Sequence, residues 1–331
     1  MDKSIAKIAL SLYQPPQGSF MPRNLQFIFN PSELGAGTRG ASLGPEAIRA
    51  AARTKGSTLF ADYPVQIVDQ YNDLLDHKSP FVFAKNIDGL RSVFDSLEEK
   101  IQNCTAHKAM PLLISGDHSA AAGTLAALHK LYGQQRIGVI WIDAHADIHS
   151  PYTTPSGNIH GMPIAAALGL DHLHLAKNKP DSATVGHWND LKSHAFLPQD
   201  LVYIGVRDTE SEEELMMKEL QLKNYTVAEL RQKGLSVCLA EMSSQLKACD
   251  LIYVSFDVDS IDPLETSYGT GTPVANGISF AEANTLLQFF AQDPRLCALE
   301  IVEVNPCLDD EKNKMAERTL DLIENIITQL S

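Results

Sequence analysis

Short apolar runs alternate with longer amphipathic stretches along the 331 residues of the chain. Eight runs read as strands: residues 25–29, 64–68, 110–114, 137–142, 201–206, 224–227, 251–256 and 298–304. Several of them, such as 137–142, are continuously apolar rather than alternating. That pattern suits strands buried on both faces, as in a parallel sheet covered by helices. Residues 87–103 carry Leu90, Val93, Phe94, Leu97 and Ile101 at helical spacing. Residues 119–131 are alanine-rich and stop just before Gly133, a residue suited to ending a helix. Ser279 and Glu282 have capping-box spacing and open a helix through Phe290. Further helices are expected over 45–52 and 312–330. The alternation predicts an α/β fold, a three-layer α/β/α sandwich built as one domain over residues 1–331. Residues 171–199 are polar and contain proline, and read as a surface insertion with partial helix.

Three of the apolar runs end in chemistry. They lead into Ser115-Gly-Asp-His-Ser119, Asp143-Ala-His-Ala-Asp147 and Asp257-Val-Asp259. Ligands of α/β sheets bind at the carboxyl ends of strands, so these ends can meet in one crevice. Asp143, His145 and Asp147 stand at alternate positions, as do Asp257 and Asp259. On extended backbone, alternate side chains share a face. With His118 the set holds four carboxylates and two imidazoles. So many negative charges in one crevice repel strongly, and two divalent cations would offset them. Oxygen-rich ligation with two histidines favours Mn²⁺ over Zn²⁺. A single strand-end Asp is more often a turn residue or helix cap. Two such motifs, each following a buried strand, are hard to explain by capping alone.

Composition narrows the classes. The formal net charge is −14, which offers no field for nucleic-acid phosphates or anionic lipid, so neither is an expected partner. Hydrophobic residues make up 44% and charged residues 21%, an ordinary globular balance. The five cysteines, Cys104, Cys238, Cys249, Cys297 and Cys307, are scattered and include no CxxC, which argues against a disulfide framework or a zinc knuckle. No signal peptide or membrane span is visible in the sequence, and a cytoplasmic location is expected. The Gly35–Gly40 stretch lacks the lysine and spacing of a P-loop. His172, His174, His187 and His194 lack flanking carboxylates and read as solvated residues, and His77, His107 and His129 as structural ones.

At the three strand-end motifs the chain resembles the ureohydrolase superfamily, and arginases within it. The resemblance runs from about Gly35 to Leu330. It implies an eight-stranded parallel sheet and two Mn²⁺ per subunit. One ion would be held by His118, Asp143, Asp147 and Asp257, the other by Asp143, His145, Asp257 and Asp259, with Asp143 and Asp257 bridging. The loop after Asp147 contains Ser156-Gly-Asn-Ile-His-Gly-Met-Pro163, similar to an arginase signature. By that resemblance Ser156 and Asn158 bind an amino-acid carboxylate and His160 acts near the metals. Gly269-Thr-Gly-Thr-Pro273, with Thr272, resembles the loop near the guanidinium, and Glu303 its guanidinium-facing carboxylate.

Three positions depart from the arginase pattern. Ser115 replaces a glycine, His149 stands where an asparagine contacts the carboxylate, and Glu210 replaces the aspartate that meets the substrate amino group. The resemblance implies hydrolysis of L-arginine to L-ornithine and urea. Asp147 would aim the attacking hydroxide and pass a proton to the departing amine, with His160 as a shuttle. It further implies a small guanidino substrate and a homo-oligomer, trimer or hexamer. The alternative within the superfamily is a formiminoglutamate, guanidino-acid or agmatine hydrolase with the same metals. A dinuclear phosphoesterase would want Arg or Lys near the metals, and the motifs supply none. A metal protein without turnover is the remaining alternative, and a urea assay separates it.

Overall fold

A computed structural model describes residues 24–330. The expectation about a signal peptide falls on residues outside that range. Eight strands form one parallel sheet: β1 Leu25–Asn30, β2 Val65–Ile67, β3 Met110–Ser115, β4 Ile137–Ile142, β5 Leu201–Ile204, β6 Lys223–Tyr225, β7 Leu251–Asp257 and β8 Leu296–Val302. Their order is β2-β1-β3-β8-β7-β4-β5-β6. Every pairing between them is parallel.

Two separate hydrophobic cores explain the continuously apolar strands. Ile140, Ile142, Val254 and Phe256 face one core, with the helices Gly44–Lys55, Leu235–Gln245, Phe280–Ala291 and Lys314–Leu330. Val139, Trp141 and Tyr253 face the other, with Ile87–Ala106, Ala120–Tyr132 and Pro163–Leu168. Period-two alternation therefore persists, but both of its faces are apolar. The result is the three-layer α/β/α arrangement the pattern predicts.

The helix over Phe280–Ala291 starts as expected. Ser279 accepts the N–H of Glu282, and the Glu282 carboxylate accepts the N–H of Ser279. The expected strand over 224–227 needs correction. It ends at Tyr225, because the Thr226 hydroxyl accepts the N–H of Glu229 and starts a helix at Val227. The helices Ser211–Glu219 and Leu235–Gln245 were also unexpected. The first is so rich in glutamate that it shows little apolar periodicity.

Residues 171–199 contain the helix Ser182–Leu191, and its Trp188 is fully buried in the second core. The Trp188 indole N–H donates to Asp171 Oδ1 at 2.8 Å, and Lys192 Nζ donates to the same oxygen at 2.8 Å. Asn178 Nδ2 donates to the carbonyls of Pro151 and Thr154 at 3.1 and 2.7 Å. His172, expected in solvent, is instead buried. Burial holds its pKa down to about 4.

Candidate metal centre

The strands β3, β8, β7 and β4 are consecutive neighbours at the middle of the sheet. Because all run the same way, their carboxyl ends share one edge. His118 follows β3, Asp257 ends β7, Asp143 follows β4 and Glu303 follows β8. Gly116 permits the first of these turns: a Cβ there would sit 2.2 Å from the Ser32 carbonyl oxygen. Asp117 serves the turn, accepting the Ser119 N–H at 2.8 Å and the Gly35 N–H at 3.0 Å.

Extended backbone is not what brings the alternate residues together. Past Ile142 the chain has left β4, and the Asp143 carboxylate accepts the His145 N–H at 2.8 Å. The Asp257 carboxylate likewise accepts the Asp259 N–H at 2.8 Å and opens a single 3₁₀ turn. These local turns curl each motif toward a common point. Asp147 and Glu303 take left-handed backbone, with φ of 50° and 67°. Such conformations are uncommon for residues other than glycine and cluster at functional sites.

His118 Nδ1 lies 2.9 Å from Asp143, 3.1 Å from Asp147 and 3.3 Å from Asp257. His145 Nδ1 lies 3.4 Å from Asp143 and 3.2 Å from Asp259. The ligand atoms of His118, Asp143 and Asp257 all lie within 4.8 Å of one another, as do those of Asp143, His145 and Asp259. Asp143 belongs to both groups. Two observations fit cations here. His118 Nδ1 and Asp143 Oδ2 are buried, yet neither has a hydrogen-bond partner. In addition, atoms about 2.1 Å from a shared ion at right angles stand about 3 Å apart, as these do.

The protein alone holds these charges in conflict. Burial and the Asp143 charge push Asp147 up to about 6. Burial and Asp259 push Asp257 well above the usual carboxylate range. For Asp143 the burial effect is overcome by His118 and His145, which hold it below that range. Burial opposes charge on His118, but Asp143, Asp147 and Asp257 raise its pKa well above the ordinary value. Cations would replace the protons that this crowding recruits.

A cleft of about 320 Å³ opens over the cluster. Its walls include His118, His145, Asp147, Asp257 and Thr272 at one end, and His149, Ser156, Asn158, Glu210 and Glu213 at the other. Among the described residues, no Arg or Lys lines it. Thr272 Oγ1 donates to Asp259 at 3.0 Å. Glu303 is buried and does not line the cleft. Its Oε1 accepts the His118 N–H at 2.9 Å and lies 3.4 Å from His160 Nδ1. His149 Nε2 meets Glu210 Oε2 at 3.2 Å, and His149 Nδ1 meets Thr153 Oγ1 at 3.0 Å. The imidazole beside Glu210 holds that carboxyl down at about 2. Burial and the neighbouring Glu210 push Glu213 well above the usual range.

Several contributors have no signal in the strand-end motifs. Glu213 faces the cleft because its carboxylate accepts the Glu210 N–H at 3.2 Å, three residues back. The Glu210-to-Glu213 spacing is the sequence signal for that cap. Lys85 Nζ donates to Asn158 Oδ1 at 2.9 Å, and Lys85 N–H donates to Gly157 O at 2.8 Å. Gly157, with φ of 77°, lets that segment close in, since a Cβ would meet Val82 O at 2.1 Å. The Gly35–Gly40 loop also belongs to the site: Gly35 O accepts the His160 N–H at 3.1 Å. Trp141 stacks on His118 with ring centroids 4.0 Å apart.

Comparison with known proteins places this arrangement. The model of the Arginase family matches residues 24–329. An arginase from Bacillus subtilis (strain 168) is 34% identical over 314 residues, covering 93% of this chain and 98% of its own length. A crystal structure of arginase from Bacillus subtilis superposes with a TM-score of 0.76 at 32% identity, covering 92% of this chain and 98% of its own. A formimidoylglutamase from the same species shares the fold at a TM-score of 0.70 but only 18% identity, covering 99% of this chain and 98% of its own. The family match spans all four strand ends that build the cleft, and the chain belongs to the arginase family.

Proposed function

We propose that the protein hydrolyses the guanidinium group of L-arginine, giving L-ornithine and urea. The observation that carries this reading is the pairing of two abutting carboxylate–imidazole groups with an acidic cleft that no Arg or Lys among the described residues lines. A cationic guanidinium and an amino group both fit walls that carry Asp147, Asp208, Glu210, Glu213 and Asp257. A phosphate ester would meet no Arg or Lys there, and the acidic walls would repel it.

His118, Asp143, Asp147 and Asp257 would hold one Mn²⁺, and Asp143, His145, Asp257 and Asp259 the second. Two such ions supply Lewis acidity and lower the pKa of water enough to give hydroxide near neutral pH. The remaining work belongs to the chain. Asp147 orients the nucleophile and carries its proton toward the departing amine. His160 exchanges protons with solvent, held by Glu303. Thr272 fixes the Asp259 carboxylate. Ser156 and Asn158 donate to the substrate carboxylate, while Glu210 and His149 face its amino-acid end. We read Glu303 as acting through His118 and His160, since it does not line the cleft, rather than by facing the guanidinium.

The test is urea release from L-arginine by chelator-treated protein before and after Mn²⁺ is restored. The proposal expects activity only after repletion. Equal activity in the metal-free protein refutes it. A panel of agmatine, guanidino acids and formiminoglutamate run alongside assigns the substrate. Faster turnover of any of these than of L-arginine replaces the arginine assignment and keeps the metal chemistry.

A further inference from the structure

One guanidinium has no part in the chemistry above. Arg207 lies three residues past β5 and is half-buried. Its side chain carries five N–H donors and accepts nothing. Each of the five meets a backbone carbonyl. Nε donates to Ala275 O at 3.1 Å. Nη1 donates to Gly205 O and Ser260 O, both at 3.2 Å. Nη2 donates to Asp259 O at 2.9 Å and to Val274 O at 2.7 Å. The backbone of the same residue makes a further tie: its N–H and that of Asp208 both donate to Ala144 O, at 2.8 and 3.0 Å.

These bonds gather the pieces of one carboxylate–imidazole group. Ala144 lies between Asp143 and His145, and Asp259 is the third member of their group. Val274 follows Thr272 by two residues, and Thr272 Oγ1 donates to the Asp259 carboxylate at 3.0 Å. The Ala144 N–H reaches that carboxylate as well, at 3.3 Å. Asp259 itself stands in a 3₁₀ turn of three residues, Val258–Ser260. So short a turn has little stability of its own. Arg207 ties two of its carbonyls to the end of β5 and to the loop that carries Thr272. None of the five bonds goes to His118, to Asp257 or to β3.

We propose that Arg207 is a positioning residue for the second ion: it holds the backbone of Asp143, His145 and Asp259 at the spacing that lets their side chains share a cation. The inference rests on the reading of the centre as a two-ion site. Arginine suits the task because its planar fork sends five donors in fixed directions. A lysine offers three donors from a single point, so it keeps the charge and cannot join carbonyls of three segments at once.

The experiment uses the full chain. Mn²⁺ is titrated into metal-free protein, and the free-ion signal in electron paramagnetic resonance gives the number of ions bound and their affinities. The native chain should bind two, with the bound pair spin-coupled. Arg207→Met should weaken one of them about 10- to 100-fold, the usual loss when a group that orients metal ligands is removed. The other should keep its native affinity. At an Mn²⁺ level that fills both native sites, this variant should show a single uncoupled ion. Arg207→Lys should fall between the two. Circular dichroism confirms folding, and either variant suffices if the other does not fold. Arg136→Met is the control. It removes the paired bonds from Arg136 to Asp200, at 2.7 and 2.6 Å, just before β4 and β5. It should cost stability yet keep both ions. Native affinity for both ions in either folded Arg207 variant overturns the proposal. So does equal weakening of the two, or the loss of one ion in Arg136→Met. A native chain that binds fewer than two ions removes the two-ion reading and the proposal with it. By contrast, absent urea release alongside the expected binding removes only the hydrolase reading.

Discussion

His160 Nδ1 lies 3.4 Å from Glu303 Oε1, and that same oxygen accepts the backbone N–H of His118. One buried carboxylate thus ties the proposed proton shuttle to the proposed metal ligand. Burial works against charge on His160, but Glu303 outweighs it and raises the pKa to about 9. A raised imidazole pKa contributes stability fully below the ordinary value of about 6.5. That contribution is lost as pH climbs through about 9. Metal-free protein should therefore lose stability between pH 7 and 9.5, followed by chemical denaturation. In Glu303→Gln the loss should shrink, and His160 should titrate lower by nuclear magnetic resonance. An unchanged His160 titration in that variant refutes the pairing.

His160→Ala should lower turnover of L-arginine by about 10²-fold or more, the usual scale for a lost acid–base group. Its Mn²⁺ content, measured by elemental analysis, should stay native, because His160 belongs to neither carboxylate–imidazole group. Parallel losses of metal and rate would make it a structural residue instead.

Asn158 is held with its oxygen toward Lys85, which leaves its amide N–H groups for the substrate. Asn158→Ala should raise KM for L-arginine about tenfold, the cost of roughly 1.5 kcal/mol for a bond to a charged group. KM for agmatine, which lacks the carboxylate, should not change. Lys85→Met should raise KM for L-arginine less, about two- to fivefold, with an effect that fades at high salt. Equal changes for both substrates would dismiss the carboxylate subsite.

Much of the architecture was legible because buried parallel strands announce themselves as unbroken apolar runs, and the eight predicted runs all overlap observed strands. The clustering of the strand-end groups was legible because three segments that carry Asp and His directly follow such runs. The means of convergence was not. Turns built by Asp143 and Asp257 on the N–H two residues ahead are invisible to a periodicity argument.

Residues 171–199 read as a surface feature because of their polarity, yet Trp188 fills part of the second core. Trp188→Ala should cost about 3–5 kcal/mol of stability, the range for deleting a large buried aromatic. Denaturant titration checks this, and a cost below about 1 kcal/mol would mean that the segment is only loosely attached.

Neighbours in the sheet are not neighbours in synthesis. β3 and β4 are separated by a short connection, yet β7 and β8, made more than a hundred residues later, lie between them. A growing chain that has emerged only through β6 has an unfilled gap where Asp257 and Glu303 belong. Neither of the two carboxylate–imidazole groups is complete in it, nor in an amino-terminal fragment that ends there. The site of this arginase-family chain is thereby assembled last, and a chain that stops before β7 carries His118, Asp143, His145 and Asp147 without the partners that complete the cluster.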